Sequence, residues 1–186
     1  MRSIIRRVAA VLMVVLPLAA CASQGSGLPL LEAAKNTDAD YRLGPGDKLH
    51  IQVLGAEDLT GDYTVADNGT ISTPLIGDIQ AAGSTRAGVE RAMEKKLAQG
   101  YLKNPKVSVT ILQYRPFYIF GEVTKPGGYP FASGMRVVNA VATAGGYTYR
   151  ANQDYVIVSR NGQERKALPS TPIQPDDVIK VPERYF

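Results

Sequence analysis

The sequence of 186 residues contains no tryptophan, one histidine and one cysteine. A single cysteine cannot form an internal disulfide framework, and one cysteine with one histidine cannot build a thiolate zinc site. The lone His50 argues against histidine-centred catalysis. Charged residues make up 20% of the chain and hydrophobic residues 45%, which is typical of a globular protein. This length suits one domain or two small ones.

The first twenty residues predict a signal peptide. Arg2, Arg6 and Arg7 form a cationic start, and residues 8–20 carry no charge. This apolar stretch is too short to span a bilayer as a helix but matches the core of a secretory signal. Small residues then precede Cys21, the one cysteine of the chain. The arrangement resembles the bacterial lipoprotein signal, which implies that Cys21 is the lipid attachment site and the new N-terminus.

Removal of residues 1–20 changes the charge balance of the chain. Three of the 21 Lys and Arg residues lie there, so the mature chain keeps 18 of them against 17 Asp and Glu. Since it also has no block of five like charges, we expect no nucleic-acid partner. Ala22 follows the cysteine, and by resemblance to the lipoprotein sorting rule this implies lipid anchoring on the periplasmic side of the outer membrane.

The mature chain is predicted to begin with a tether and a first small unit. Residues 21–40 are rich in Ser, Gly, Ala and Asn, a composition typical of a flexible tether. The unit is predicted over 41–113. Its predicted elements are strands over 48–53, 62–65 and 106–112, a type I′ hairpin turn at 67–69, one interrupted strand over 70–79, and a helix from Ser84 or Thr85 to about Gln99 with a solvated charged face.

A second small unit is predicted over 114–186. Its predicted elements are strands over 117–123, 154–160, 164–168 and 178–181, a helix over about 135–144 capped by Ser133, and a type I′ turn at Asn161 and Gly162. A Pro-x-Asp turn before an alternating strand occurs twice, at residues 45–47 and 175–177. The chain is therefore predicted to be α+β, with two small domains.

Taken in their order along the chain, these motifs resemble the outer-membrane polysaccharide export family of Gram-negative bacteria, the Wza-type auxiliary lipoproteins. Residues 41–53, 68–77 and 104–109 are similar to the family's polysaccharide export domain. Residues 121–129, 144–146 and 177–182 are similar to its soluble-ligand-binding β-grasp (SLBB) module. The resemblance covers about 41–186, nearly all of the mature chain.

The resemblance implies a lipoprotein that forms a homo-oligomeric ring in the periplasm and guides capsular or exopolysaccharide across the envelope. It also implies an inner-membrane polysaccharide co-polymerase as a partner. Longer members carry more β-grasp modules and end in an amphipathic pore helix. The five residues after Val181 cannot span about 30 Å of hydrocarbon. We therefore expect a separate outer-membrane β-barrel or pore protein.

Contacts with glycan or with a neighbouring subunit are predicted at four residues. Tyr147, Tyr149 and Arg150 lie in a predicted loop after the second helix, and a tyrosine offers a sugar both an apolar ring and a polar tip. Arg115 can meet an acidic glycan. For the other aromatic residues of the second unit we favour a core role for alternate members, because Phe117 and Ile119 must face one side of their strand and Tyr118 and Phe120 the other.

We expect no enzymatic activity and no catalytic residue, cofactor or metal. Paired acids occur at Glu57 and Asp58, with Asp62 nearby, and at 176–177, and adjacent acids in turns commonly form the turn. No nucleophile elbow, P-loop or dinucleotide fingerprint is present. Two alternatives remain, a monomeric glycan-binding lipoprotein of the envelope and a glycan-cleaving enzyme that uses Glu57, Asp58 or Asp62.

Overall fold

The computed structural model describes residues 27–31 and 41–184, so the predicted signal peptide and Cys21 lie outside the described residues. The described part confirms the α+β class and forms two units. The first contains β1 (Lys48–Val53), β2 (Gly61–Thr64), β3 (Thr70–Thr73), β4 (Gly77–Gln80), α1 (Arg86–Leu97) and β5 (Val107–Gln113). The second contains β6 (Phe117–Gly121), β7 (Gly127–Tyr129), α2 (Val137–Thr143), β8 (Val156–Arg160), β9 (Gln163–Ala167) and β10 (Val178–Val181).

The first unit packs α1 against a three-stranded antiparallel sheet of order β2-β1-β5. Thr85 begins the helix by accepting a hydrogen bond from the Gly88 amide at 3.2 Å, as the Ser/Thr pattern predicts. Val89, Met93 and Leu97 recur at intervals of four and are fully buried. Their burial holds α1 along the sheet.

The sequence predicts that the charged residues of α1 form a solvated face, and this prediction is wrong for three of them. The Glu90 and Glu94 carboxylates accept the outward amides of Val109 and Val107 at 2.9 and 3.2 Å. Lys96 donates to the carbonyls of residues 76 and 78. The helix therefore satisfies backbone groups along the outer edge of β5, an edge that would otherwise be open to another strand.

The predicted single strand over 70–79 is wrong. Two strands, β3 and β4, pair as a hairpin around a turn in which Leu75 has φ of 66°. Thr73 closes this turn by donating its hydroxyl to the Gly77 carbonyl at 2.7 Å. Since proline lacks an amide hydrogen, Pro74 suits the turn better than the ladder.

Of the two predicted type I′ turns, one is confirmed and one is wrong. Asn161 and Gly162 both have positive φ, 51° and 76°, and join the paired strands β8 and β9. At residues 67–69 only Gly69 has positive φ, and the Asn68 side chain instead accepts the Thr70 amide at 3.0 Å. That bond is an Asx-type turn, and β2 and β3 do not pair across it.

The second unit is a five-stranded sheet of order β7-β6-β10-β8-β9 with α2 packed on one face. Strands β10 and β6 run parallel, and the other neighbours are antiparallel. Ser133 does not cap α2. The helix begins at Val137, and its N-cap is Arg136, whose backbone amide donates to the Asn139 side chain at 3.0 Å. The two glycines after the helix have positive φ and end it as predicted.

Part of the predicted tether is docked on the second unit. The Leu31 amide donates to the Lys166 carbonyl at 2.7 Å, and the Lys166 amide donates to the Pro29 carbonyl at 3.0 Å. Residues 29–31 thus add to β9 in parallel. This corrects the expectation that all of residues 21–40 form a free tether, and it covers the outer edge of β9 at Lys166.

Candidate functional site

Arg115 lies where the two units meet, two residues before β6. Its backbone amide donates to Asp47 Oδ1 at 3.0 Å, and its Nε lies 3.6 Å from the same oxygen. Its Nη2 donates to the Tyr41 hydroxyl at 3.4 Å, and its Nη1 lies 3.6 Å from Asp176 Oδ2. The side chain therefore links carboxylates of both units, and its predicted glycan contact stays a prediction.

The protonation states of this junction follow from its burial. Burial raises the pKa of Tyr41, the hydrogen bond from Arg115 opposes that rise, and the Asp47 carboxylate adds to it. Burial alone would lower the pKa of Arg115, but the Tyr41 hydroxyl and the carboxylates of Asp47 and Asp176 outweigh it and raise that pKa. Tyr41 stays neutral and donates to Asp47 Oδ2 at 2.8 Å. Through Arg115, the junction links Asp47 of the first unit to Asp176 of the second.

The other three predicted contact residues lie in the loop after α2. Tyr147 pairs with Val123 in an isolated bridge, and burial raises the pKa of Tyr147. Its hydroxyl is buried and has no hydrogen-bond partner within the described ranges. Tyr149 is 87% exposed. Arg150 forms an ion pair with Glu183, with its Nε 2.7 Å from Oε1.

The four predicted residues do not form one site. Arg115 precedes β6, whereas Tyr147 pairs with Val123, which follows that strand. Tyr149 and Arg150 belong to the same end of the sheet as Tyr147. Of the four, Tyr149 offers the most accessible surface, and whether it contacts a glycan or a subunit stays a prediction.

Two of the acids singled out from the sequence have side-chain partners in the fold, and two are exposed. Asp62 lies 2.6 Å from the His50 ring nitrogen on the neighbouring strand. Glu57 and Asp58 are exposed in a short 3-10 turn. Asp177 is buried and accepts two hydrogen bonds from Arg160, at 2.8 and 2.7 Å. Asp62 and Asp177 therefore have partners within the fold, whereas Glu57 and Asp58 are exposed to solvent.

Residues 27–31 and 41–184 bring no three His, Cys, Asp or Glu side chains together in a way that could hold a metal ion. The same residues contain no helix that combines the length and apolar character required to cross a bilayer.

The sheet of the second unit has an open face that sequence reasoning missed. Phe117 and Ile119 face α2 and are buried, as the alternation predicts. Tyr118 and Phe120 lie on the opposite face and are 45% and 43% exposed. Alternation alone indicates that Tyr118 and Phe120 face away from the side of the strand that bears Phe117 and Ile119. It does not show which residues from other strands join them, because strand order depends on pairing between distant segments.

Comparison with known proteins places two family matches on these units. Residues 35–112 match the family described as polysaccharide biosynthesis/export protein, and residues 116–169 match the SLBB domain. The chain is 36% identical over 159 residues to the exopolysaccharide production protein ExoF of Rhizobium meliloti (strain 1021), covering 76% of this chain and 36% of that protein. It is 29% identical over 129 residues to the polysialic acid transport protein KpsD of Escherichia coli, covering 68% of this chain and 23% of that protein. The chain thus spans well under half the length of either relative.

Proposed function

Because the chain belongs to the polysaccharide export family and carries an SLBB domain, we propose that it is an outer-membrane-anchored periplasmic lipoprotein subunit of an export ring. The ring would guide capsular or exopolysaccharide across the envelope. The observation that carries the proposal is the ordered pair of matched domains, on a chain whose residues 1–20, before Cys21, have the sequence pattern of a lipoprotein signal. The relatives, a production protein for exopolysaccharide and a transport protein for polysialic acid, support the same role.

The docked segment supports a membrane-proximal second unit. Cys21 precedes Gly27 by six residues. An extended chain spans at most about 3.6 Å per residue, so this stretch reaches about 20 Å. Acylation of Cys21 would therefore hold residues 29–31, and the β9 edge to which they bind, close to the lipid surface. Several buried acyl chains would make that anchor durable, since one chain alone binds only marginally.

Ring closure requires surfaces that a neighbouring subunit can reach. The outer edges of β5 and β9 are covered by α1 and by residues 29–31. We propose that subunits meet through the outer strands β2 and β7 or through side-chain surfaces such as the loop that bears Tyr149. A cyclic ring uses two different patches on each subunit, which suits a protein with two units.

The proposed partners are the exported polysaccharide, an inner-membrane polysaccharide co-polymerase and a separate outer-membrane pore protein. We propose no catalytic role and no cofactor for this chain. The carboxylates of Glu57, Asp58 and Asp62 would need to be held about 5–10 Å apart across a bound sugar to cleave a glycosidic bond, and their surface settings do not favour that arrangement.

A clean deletion in the native host, scored for extracellular polysaccharide, tests this proposal. The deletion strain should lose most of the polymer and recover it with the wild-type gene. The Cys21→Ser variant should restore it poorly and should leave the membrane fraction. Normal polymer output from the deletion strain would refute the proposal.

Particle images of the purified protein test the ring. Closed rings are expected, either with the protein alone or with the co-polymerase. A chain that stays monomeric in both conditions yet binds oligosaccharide would instead support a glycan-binding lipoprotein of the envelope.

A further inference from the structure

The second unit carries an open sheet surface formed by aromatic and lysine side chains. We infer that it binds an acidic, carboxylated glycan; the inference rests on the proposed role in polysaccharide export. We call it the outer face, and it is the side of the five-stranded sheet opposite α2. The strand registers define it by the residues Tyr118, Phe120, Ile157, Lys166, Val178 and Lys180.

The registers place four of these side chains in one row across the sheet. Phe120 is opposite Lys180, Lys180 is opposite Ile157, and Ile157 is opposite Lys166. Adjacent strands lie about 4.8 Å apart, so the two lysines begin about 10 Å from one another. Tyr118 extends the surface beside this row, opposite Val178. The row thus alternates apolar and cationic side chains over four strands, with Ile157 only 4% exposed between the two half-buried lysines.

The aromatic rings of the outer face are available to a ligand. Tyr118 and Phe120 are 45% and 43% exposed, although Phe117 and Ile119 on the same strand are almost completely buried. Opposite Tyr118 stands Gly128, where a Cβ atom would come within 3.0 Å of the tyrosine ring. The glycine therefore leaves room for the ring to lie against the strand. A flat ring with one open side is a surface on which a sugar ring can stack.

The two lysines of the outer face favour a carboxylated ligand over a neutral one. Lys166 shares the side of Ile157 in the strand register, and its Nζ lies 4.0 Å from the centroid of the Tyr155 ring in a cation–π contact. Glu164 is the acidic residue on the same side of β9, opposite Ser159. A neutral glycan would use only the rings. A glycan with carboxylates at sugar-length intervals would in addition pair with Lys166 and Lys180.

Binding of defined oligosaccharides to the full chain in mild detergent tests the inference. The probes are alginate and polygalacturonate oligomers, which are carboxylated, and a neutral dextran of the same mean length. We expect the wild-type chain to bind a carboxylated probe at least about tenfold more tightly than dextran, with an affinity that falls as salt rises. A wild-type chain that binds neither carboxylated probe, or binds dextran equally well, overturns the inference.

Two double variants locate the binding. Lys166→Gln with Lys180→Gln should lower the affinity for the carboxylated probe about tenfold. Its matched control, Lys95→Gln with Lys103→Gln, removes the same charge from exposed positions of the first unit and should stay within about twofold of wild type. An equal loss in the control would mean unspecific attraction and would overturn the inference.

Tyr118→Ala with Phe120→Ala tests the rings. It should weaken binding of the carboxylated probe several-fold and leave the oligomeric state unchanged. A changed oligomeric state with unchanged glycan binding would make the outer face a contact between copies of this chain and would overturn the inference.

The polymer assay separates this inference from the proposed function. If the deletion strain exports normally while the variants show the expected binding, the proposed function fails and the outer face stands. If deletion abolishes export while every variant binds like wild type, the outer-face inference fails and the function stands.

Discussion

Asp47 and Asp177 occupy the same position in two copies of one turn. Asp47 Oδ2 accepts the Gly44 amide at 2.8 Å, and Asp177 Oδ2 accepts the Gln174 amide at 2.7 Å. Both carboxylates are buried, with 0% and 1% of the residue exposed. Each aspartate directly precedes a strand of its own unit, β1 after Asp47 and β10 after Asp177. The same type of turn therefore leads into a strand in both units.

The backbone of the two turns explains the repeated Pro-x-Asp pattern. A proline stands at the second position of each turn, and the third residue has positive φ, 92° at Gly46 and 70° at Asp176. That combination is typical of a type II turn. The arginine partners differ, because Arg115 comes from the link between the units whereas Arg160 comes from a strand of the same unit.

Loss of Arg160 should cost more stability than loss of Arg115. Arg160→Ala leaves Asp177 buried without its two guanidinium hydrogen bonds, and breaking such a pair costs about 3–5 kcal/mol. Arg115→Ala leaves Asp47 with the Tyr41 hydroxyl and two backbone amides, so about 1–2 kcal/mol is expected. Urea unfolding measures both values. Equal losses would show that the junction arginine is as essential as the internal one.

The hydroxyl of Tyr147 should contribute nothing to stability. It is buried with no partner in the described part of the chain, so Tyr147→Phe should leave the free energy of unfolding unchanged or raise it by up to about 1 kcal/mol. The matched control is Tyr63→Phe, which removes a 3.0 Å hydrogen bond to the Leu59 carbonyl and should cost about 1 kcal/mol. Chemical denaturation compares the two variants. A clear loss in Tyr147→Phe would show that the buried hydroxyl does have a hydrogen-bond partner.

Alkaline pH should destabilise the chain through Tyr41. Burial raises the pKa of Tyr41 in the folded state above its ordinary value of 10.0. The stability that this shift contributes is present below pH 10 and is lost as pH rises above it, because the unfolded tyrosine ionises first. The free energy of unfolding should therefore fall above pH 10.

Tyr41→Phe should flatten that fall, whereas Tyr149→Phe, at a position that is 87% exposed, should not. Denaturation series at pH 8, 10 and 11 provide the comparison. The same slope in wild type and Tyr41→Phe would refute the assignment to Tyr41.

Gly121 should tolerate no side chain. Its φ is 89°, and a Cβ atom there would lie 2.2 Å from the carbonyl oxygen of Val181 on the paired strand β10. Gly121→Ala should cost at least about 2 kcal/mol, since the left-handed conformation is unfavourable for alanine and the strands must also separate. Gly61→Ala, where the space is open, should change stability by less than about 0.5 kcal/mol. Thermal and urea unfolding of both variants give the answer.

Local patterns predict much of the fold. Alternation predicts β1 and β5, an Asn-Gly pair with tolerance for positive φ predicts the β8–β9 turn, and a threonine before an amphipathic stretch predicts α1. The failures also have local causes. Residues 70–79 contain a proline that can kink a strand or occupy a turn, and several polar residues near 133–139 can cap a helix, so the sequence leaves both choices open.

The candidate site shows the same division. The order of the motifs and the composition of each segment were enough to indicate the α+β class and the family, because such signals lie within a few consecutive residues. The leader over residues 1–20 stays a prediction. Position alone could not show that Arg115 joins two units, that residues 29–31 bind β9, or that Lys166 and Lys180 share a sheet face with Phe120. Those relations come from pairing between segments far apart in the chain, and hydrogen-bond registers and core packing select them only when the whole domain folds.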